Sequence, residues 1–444
     1  MGAPDQPISR PPMSSNRTAV PASKLAFPLA LVVAFALALP IPGCSAAPSS
    51  LSSTTSPGLA PVATAHTFAQ VRKGTVTSTL LVIARTDASV TAIDLSELAG
   101  LYSADAFDVI DRFGVAQLDA LAGEKSRTQT HPLGRLLGVG PRGVAHIAAG
   151  TNYPEHGKEV GVDEAFLFPK ISSASGPRSK LVAAPGALMD YEVEVCARFD
   201  RELRSVADFD EARKGFFLCG DFSDRATLVR NINLKDVTSG DGFPDAKSGS
   251  DRFPVGPFLV VPKDWKAFLA GVVIETHVDG ERRQHANAGD MIKDLRMIVQ
   301  ETLAQAKKRT WSYQGGRIPM VDRPAIATGT AVLTGTGEGV VFKEPGPDVI
   351  NALISATDRA QQRGVIEKYL AAEIAKGIYL RPGNAVRYSS NYLGWIDTDV
   401  ISATPSAAIH PALPGDIPTT FVAQSSSCMR PLAFPQSTPC QEMQ

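Results

Sequence analysis

The sequence predicts a β-rich α+β fold rather than a parallel α/β sheet. Short apolar runs punctuated by Gly, Pro and Asp outnumber the amphipathic helical patterns, which favours antiparallel strands. One run, VVIETHVDGERRQ, places an Asp-Gly turn between two strand-like segments and so predicts a β-hairpin. The composition, 44% hydrophobic and 20% charged, is that of a globular protein. Lys plus Arg number 44 and Asp plus Glu 45, a balance that gives no electrostatic basis for binding nucleic acid.

The N-terminal segment, residues 1–44, has the pattern of a secretory signal. Cations precede the apolar run LAFPLALVVAFALALPIP, which is short for a membrane span and is followed by small residues. The IPGC sequence is similar to a bacterial lipoprotein box, apart from its unusual proline, and predicts a lipidated Cys44 that attaches the chain to a membrane. We therefore expect an exported bacterial protein, periplasmic or membrane-anchored; a simple cleaved signal and an uncleaved anchor are the alternatives. Residues 45–66, rich in Ser, Thr, Pro and Ala, predict a flexible linker.

The four remaining cysteines fall into two groups. Cys196 and Cys219 lie in strand-like runs, where free cysteines pack as small hydrophobes, and neither belongs to a C-x-x-C motif. We therefore expect two core thiols. Cys428 and Cys440 lie in a polar C-terminal tail, residues 403–444, where an oxidising compartment would permit them to pair; two exposed thiols are the alternative.

The elements divide the chain into a small module and a larger domain. Residues 67–135 predict an N-terminal α+β module with the strand TVTSTLLVIARTD and the helix DAFDVIDRFGVAQLDALAG. Residues 136–402 alternate strands with Gly-rich loops, and DMIKDLRMIVQETLAQAKK predicts an amphipathic helix whose apolar face begins at Ile292. A second amphipathic helix, GVIEKYLAAEIAKG, lies in a predicted helical insertion near 345–378.

The strand-like run MDYEVEVCARFD carries many carboxylates. Alternation puts Glu192 and Glu194 on the same face, which an ordinary amphipathic strand would turn towards water. Two carboxylates at this spacing can instead bind one divalent cation. Asp221 follows the next apolar strand in LCGDFSDRA, at the point where a loop would open.

Other segments carry the polar groups that catalysis uses. His156 and Glu159 are three residues apart in GTNYPEHGKE, a spacing that puts both on one face of a helical turn, where a carboxylate orients an imidazole and raises its basicity. Lys247 lies in a Gly-rich polar loop, and LTGTGEG offers threonines and backbone N–H groups without the Gly-Lys-Ser/Thr of a phosphate loop. The ordinary alternative for His156 and Glu159 is a surface ion pair, and the ordinary alternative for Lys247 is a solvated loop lysine.

The order of these segments is more specific than any one of them. GTNYPEHGKE, LFPKISSA, DYEVEV, GDFSDR, AKSGSDRFPVGP, DGERRQHANAGDMI, VLTGTGEGV and YLRPGNAV follow one another in a series that resembles the fumarylacetoacetate hydrolase family from about residue 140 to about 402. The resemblance implies a mixed β-sandwich or roll of that family's type, preceded here by the small N-terminal module. It also implies metal-dependent chemistry on 2-oxo acids and 1,3-dicarbonyl compounds.

The resemblance assigns a metal site and a catalytic dyad. Glu192, Glu194 and Asp221 match the family's carboxylates for Mg²⁺ or a similar cation, and oxygen-only ligands suit Mg²⁺, Mn²⁺ or Ca²⁺ better than zinc or copper. His156 and Glu159 match the dyad that activates water.

The resemblance also assigns groups around the substrate. Lys247 matches a lysine that stabilises a developing enolate or oxyanion. Lys170, Arg225 and Thr336 match positions near the substrate.

The chain departs from the family pattern where a substrate would be selected. Ala226 replaces an Asp, Asp224 replaces a small residue, and Gly249 and Ser250 stand where the family tends to have Phe and Asp. The resemblance implies hydrolysis of a C–C bond in an acylpyruvate-like oxo acid through an enolate. Because of these departures, it does not identify the substrate.

Three alternatives remain open at this stage. One is decarboxylation of a related oxo acid, a second is its hydration or isomerisation, and a third is non-catalytic capture of an oxo acid by an exported binding protein. Members of the family are commonly dimers, so a homodimer is expected by resemblance.

Overall fold

The computed structural model describes residues 58–403. The predicted signal, the predicted lipid attachment at Cys44 and the predicted pairing of Cys428 with Cys440 lie outside these residues. Within the described part, no helix is both long enough and apolar enough to cross a membrane.

Strands are the main elements of the described part. The strands are β1 Ala65–Lys73, β2 Val76–Arg85, β3 Ser89–Asp94, β4 Gln129–Pro132, β5 Ala145–Gly150, β6 Phe166–Ile171, β7 Arg178–Ala183, β8 Met189–Asp190, β9 Val193–Phe199, β10 Lys214–Gly220, β11 Ser223–Asp224, β12 Leu259–Pro262, β13 Val273–Val278, β14 Glu281–Asn287, β15 Thr310–Tyr313, β16 Gly316–Pro319, β17 Val332–Thr336, β18 Ala385–Ser390 and β19 Gly394–Ser402. The α-helices are α1 Leu95–Ala99, α2 Ala106–Ile110, α3 Val115–Ala122, α4 Pro154–Val160, α5 Val206–Glu211, α6 Arg225–Asn231, α7 Phe243–Lys247, α8 Trp265–Ala270, α9 Leu295–Gln305, α10 Pro347–Ser355 and α11 Arg359–Lys376.

Two large sheets confirm the predicted β-rich α+β class. The ten-stranded sheet has the order β4-β3-β2-β1-β12-β10-β9-β17-β5-β6, and the five-stranded sheet has the order β14-β13-β18-β19-β7. Most pairs are antiparallel, and β13 and β14 form the predicted hairpin. The five-stranded sheet lies against the middle of the larger one, with β13, β18 and β19 close to β9 and β10.

Both faces of β9 and β10 are buried. Every residue of the two strands is buried, so the expectation that Glu192 and Glu194 lie on a wet strand face is wrong. The second sheet covers only the face that carries Val193, because Gly220, which pairs with Val193, lies against the Tyr388 ring of β18. The opposite, acidic face is covered by distant segments of the chain: Asp105 and Phe107 contact Arg198, Lys247 contacts Glu192, and the Gly335 amide contacts Glu194.

The expectation of two free core thiols is also wrong. Cys196 and Cys219 form a disulfide between the neighbouring strands β9 and β10, with Cα atoms 5.9 Å apart. This separation falls within the usual disulfide range of about 4.4–6.8 Å. The register places Cys196 opposite Phe217 and Cys219 opposite Glu194, so the bond crosses the pair diagonally, next to the strand ends that carry the acidic residues.

The N-terminal segment extends the large sheet. Strand β1 pairs with β12 from Ala65 onwards, so regular structure begins inside the predicted linker 45–66. The single helix predicted around Phe107 is instead divided into α2 and α3, because the extended backbone of Gly114 starts a new helix.

The predicted helices of the larger domain are present with shifted bounds. Helix α9 begins at Leu295, where the Asp294 side chain caps it, and Ile292 precedes the helix with 41% of its surface exposed. Helices α10 and α11 occupy the predicted helical insertion. Helix α11 is held to α6 by a two-bond ion pair, in which Arg230 donates to Glu367 at 2.8 and 2.9 Å.

A buried histidine on β5 connects the ends of its two neighbouring strands, β6 and β17. His146 on β5 has its Nε2 2.9 Å from the Ser172 carbonyl, and its Nδ1 lies 3.1 Å from the Ala331 amide, which donates to it. This pattern fixes a neutral ring that carries its proton on Nε2. Burial lowers the pKa of His146 to about 4, from an ordinary value of 6.5.

Candidate metal centre and active site

Three buried carboxylates meet at the ends of the two central strands. Glu192 directly precedes β9, Glu194 lies within it, and Asp221 directly follows β10. One oxygen from each lies within 4.8 Å of the other two. The antiparallel register, with Gly220 opposite Val193, is what places residues distant in sequence side by side.

Two buried lysines neutralise part of this charge. Lys247 donates from Nζ to Glu192 at 2.6 Å and to Asp221 at 2.8 Å. Lys170 on β6 donates to the other oxygen of Asp221 at 2.7 Å. Burial lowers the pKa of Lys170, whereas Asp221 and Glu192 outweigh burial at Lys247 and raise its pKa. Both ammonium groups are thus part of the acidic cluster.

The sequence predicts that Lys247 lies in a loop, but the structure places it in a helix. It is the last residue of the short helix α7, which begins at Phe243 after the left-handed backbone of Gly242. The helix packs beside β6, where the Ser248 hydroxyl accepts a hydrogen bond from the Ile171 amide at 2.9 Å. This helix, rather than a flexible loop, directs the ammonium group towards the carboxylates.

Arg225 is the first residue of α6 and ties a fourth carboxylate to the cluster. It donates from Nε to Asp190 at 2.9 Å and from Nη2 to Glu192 at 2.6 Å. Asp190 is therefore connected to the triad through Arg225, whose guanidinium group it orients. Asp224, unusual for the family, is the N-cap of α6 and accepts from the Ala226 amide at 3.1 Å.

The chemistry of this donor set fits a hard divalent cation. Burial, Asp221 and Glu192 together raise the pKa of Glu194 well above its usual range. Burial also acts to raise the pKa of Glu192, but Lys247, Arg225 and His156 outweigh it and lower the pKa to about 2. Glu194 is thus the carboxylate with too little positive charge around it, and a cation bound by three carboxylate oxygens would favour its ionised form. Oxygen-only donors match Mg²⁺, Mn²⁺ or Ca²⁺.

Strand β17 fixes the orientation of Glu194. The Gly335 amide donates to the Glu194 carboxylate at 2.7 Å, and the Thr336 hydroxyl donates to the Val193 carbonyl at 2.8 Å. Gly335 has a φ of 90°, and a Cβ there would lie 2.9 Å from the Cβ of Asn152. The glycine in LTGTG is therefore needed for the close approach of this backbone to Glu194.

The His156 and Glu159 side chains meet on helix α4. His156 Nδ1 lies 3.2 Å from the Glu159 carboxylate; His156 is buried and Glu159 is partly buried. Glu159 also accepts from the Gly339 amide at 3.0 Å and from the Lys343 ammonium. Burial raises the pKa of Glu159, but hydrogen bonds from His156, Lys343 and Gly339 outweigh it and lower the pKa. An ionised Glu159 accepts a hydrogen bond from the Nδ1–H group of His156, which leaves Nε2 as the basic nitrogen.

The predicted site residues divide into a cavity wall and a supporting layer. A cavity of about 560 Å³ has His156, Glu192, Arg225, Lys247 and Thr336 in its wall. The other predicted residues of the site do not line this cavity in the described part of the chain; they are Glu159, Lys170, Glu194 and Asp221. They hold the wall residues from behind, and Lys170 in particular is fully buried.

Several supporting residues are absent from the predicted set. Gln284 donates to the Thr336 hydroxyl at 2.9 Å and accepts from the Val193 amide at 3.2 Å, which joins β14 to the metal-site strand. Asn152 donates to the Thr334 carbonyl at 2.8 Å. Gln284 lies in DGERRQHANAGDMI and Asn152 in GTNYPEHGKE, so the family segments contain both residues, but only the three-dimensional structure shows which partners they bind.

Comparison with known proteins establishes the family. A family model described as fumarylacetoacetate (FAA) hydrolase C-terminal matches residues 145–401, more than half of the chain. The chain belongs to this family, which confirms the resemblance seen in the sequence.

Individual relatives are distant. An uncharacterized protein of Methanocaldococcus jannaschii is 28% identical over 160 residues, which cover 35% of this chain and 62% of that protein. An uncharacterized protein of Staphylococcus aureus strain USA300 is 27% identical over 215 residues, which cover 46% of this chain and 63% of that protein. The matches thus span somewhat less than two thirds of these curated relatives.

Solved structures of similar fold are more distant in sequence. Fumarylacetoacetate hydrolase from Exiguobacterium antarcticum is 18% identical with a TM-score of 0.49, covering 76% of this chain and 100% of that one. A 2-hydroxyhepta-2,4-diene-1,7-dioate isomerase from Mycobacterium marinum is 17% identical with a TM-score of 0.46, covering 76% of this chain and 98% of that one.

Proposed function

We propose that this protein is a divalent-cation-dependent enzyme that hydrolyses a C–C bond in an acylpyruvate-like 2-oxo acid. The observation that supports this most strongly is a shared cavity wall: His156, held by Glu159, and Lys247, held by Glu192, border the same space. Hydrolysis of this kind needs a base for water and a cation for the departing carbanion, and both groups are available at this wall.

Each residue has a defined part in the proposed reaction. A divalent cation held by Glu192, Glu194 and Asp221 would supply Lewis acidity that polarises the substrate carbonyl. Glu159 holds the Nδ1 proton of His156, so Nε2 accepts a proton from water while the water oxygen bonds to the acyl carbon. The bond between that carbon and the adjacent CH₂ group breaks, and its electron pair forms the enolate of the departing oxo acid. The Lys247 ammonium stabilises this enolate, which takes its proton back from His156 Nε2.

The supporting residues fix the orientation of these groups and bury them. Arg225 is bound to Asp190 and Glu192, so it fixes the orientation of the Glu192 carboxylate at the wall. Because the lysines and carboxylates are nearly fully buried, their charges are poorly screened and act strongly on a bound substrate.

The His156→Ala variant tests the assigned reaction. Wild type and variant are compared on a simple acylpyruvate and on oxaloacetate with Mg²⁺ present. Loss of a general base typically lowers the rate about 10²- to 10⁴-fold, so acylpyruvate hydrolysis should fall by that factor. If wild type instead decarboxylates oxaloacetate and the variant retains that activity, the sister decarboxylase reaction is the correct one. Tight cation binding without turnover of either compound would favour a binding protein.

We further propose that the protein is exported, as its N-terminal sequence predicts. The Cys196–Cys219 disulfide supports this, because disulfides persist in oxidising compartments and are rare in the bacterial cytosol. Intact-mass analysis of the mature chain from its native host tests the lipoprotein form. A chain that begins at a lipid-modified Cys44 is expected, and an unmodified chain in the soluble fraction would contradict it.

A further inference from the structure

We infer that the substrate carries a long apolar acyl group, which the helical insertion and the segment after α6 enclose. The inference rests on the proposed function and adds the chemical class of the group next to the cleaved bond. Its basis is the uneven distribution of polarity around the cavity: the polar wall residues described above lie near the acidic triad, whereas most of the remaining wall is apolar.

Helix α10 supplies one apolar side of the cavity. Val349, Ile350, Leu353 and Ile354 all line the space, and their spacing puts them on one face of the helix. Yet α10 has no buried residue along its nine positions, and Ile354 is 76% exposed. An apolar helix face of this kind ordinarily packs on a core, so here it borders a space that an apolar ligand would fill.

Helix α6 and the segment after it add further apolar residues. Leu228 and Val229 of α6, with Ile232 just after it, also line the cavity. Phe166 and Phe243, whose rings lie 4.9 Å apart, complete an aromatic surface. The charged wall residues outside the catalytic group, Lys235 and Glu344, are both solvent-exposed. A second polar group on the substrate would therefore find few buried partners.

Helix α6 and the insertion are packed against each other. Ile366 and Leu370 of α11 are buried in a small cluster with Leu188 and Ala226, and the Arg230–Glu367 pair joins the same helices. The volume of about 560 Å³ lies within the usual range of about 300–1,000 Å³ for small-molecule pockets. It exceeds what the three-carbon head of a 2-oxo acid requires, which leaves room for a chain.

Binding of a chain-length series tests this directly. The full-length protein with Mg²⁺ is titrated calorimetrically with 2-oxo acids from pyruvate to 2-oxodecanoate. Each methylene transferred to the apolar cavity should lower Kd about fourfold until the cavity is full. Acylpyruvates of matching length, used as substrates, should show the same trend in kcat/KM.

Two variants of the insertion localise the effect. Leu353→Gln, on the cavity wall, should reduce the preference for 2-oxodecanoate over pyruvate by roughly tenfold. Ile374→Gln, at an exposed position of α11 outside the wall, should leave that preference unchanged. Equal effects of both variants would overturn the assignment of the site.

The outcomes separate this inference from the proposed function. If short acylpyruvates are hydrolysed but neither Kd nor kcat/KM improves with chain length, the inference is wrong and the function stands. If Kd falls with chain length but no compound is hydrolysed, the apolar site is correct and the proposed reaction is wrong.

Discussion

Replacing Lys247 by Met should destabilise the cation-free protein and make its stability depend on a divalent cation. The Lys247 ammonium donates to Glu192 at 2.6 Å and to Asp221 at 2.8 Å, and its side chain is only 3% exposed. Met has a similar length, so the substitution removes the charge with little loss of packing volume. The remaining carboxylates then lack the ammonium group that bridges them in a buried site.

The magnitude follows from the burial of these groups. Removing one partner of a buried ion pair typically costs about 3–5 kcal/mol, because the other charge stays buried without a partner. Lys170 still pairs with Asp221 and Arg225 with Glu192, so the expected loss is about 3 kcal/mol, at the low end of this range. A bound divalent cation supplies positive charge to the same carboxylates and should recover much of this loss.

Urea denaturation followed by circular dichroism measures both effects. Wild type, Lys247→Met and the control Lys368→Met, at an exposed position of α11, are compared in EDTA and at saturating Mg²⁺. The gain on adding Mg²⁺ should be larger in Lys247→Met than in wild type. A loss below about 1 kcal/mol in EDTA, typical of a surface pair, would refute the reasoning, as would the same gain in both proteins.

Three further predictions concern acid stability, the disulfide and the dyad. The pKa of His146 is about 4 in the folded protein and ordinarily 6.5, so its stabilising contribution is complete above pH 6.5 and about 3 kcal/mol is lost as the pH falls to 4. The His146→Gln variant should therefore show a flatter profile of unfolding free energy against pH in this range. Parallel profiles for wild type and variant would contradict this prediction. The double variant Cys196→Ala/Cys219→Ala, which opens a link across a sequence separation of 23, should lose about 3 kcal/mol in urea denaturation, and unchanged stability would show that the bond does not form. Glu159→Gln should lower kcat about 10²-fold while calorimetry shows little change in cation affinity, and a loss of cation binding would contradict its assigned role.

The sequence was most informative where local pattern determines structure. The Asp-Gly turn predicted the β13–β14 hairpin, and the three-residue spacing of His156 and Glu159 predicted their contact on a helical turn. The spacing of Glu192 and Glu194 showed that both would point to one side, and the family resemblance added Asp221 from the next strand.

The errors arose where distant parts of the chain meet. Burial of the acidic strand face depends on segments distant in sequence, among them Phe107 against Arg198 and Lys247 against Glu192, and no local pattern around Glu192 reveals that cover. The Cys196–Cys219 bond depends on the register of two strands, which the spacing of the cysteines does not specify. The position of α10 beside the cavity likewise depends on tertiary packing. An amphipathic pattern predicts a helix but does not show what its apolar face contacts.

The central claim, that Glu192, Glu194 and Asp221 bind the cation on which catalysis depends, is tested most directly by turnover under cation control. Hydrolysis of an acylpyruvate by the full-length protein is measured with Mg²⁺, after EDTA, and after Mg²⁺ is restored, with Glu194→Gln alongside. We expect wild-type turnover to disappear with EDTA and to return with Mg²⁺, and we expect the variant to be inactive with weakened cation binding. Turnover that continues unchanged in EDTA and in Glu194→Gln would contradict it.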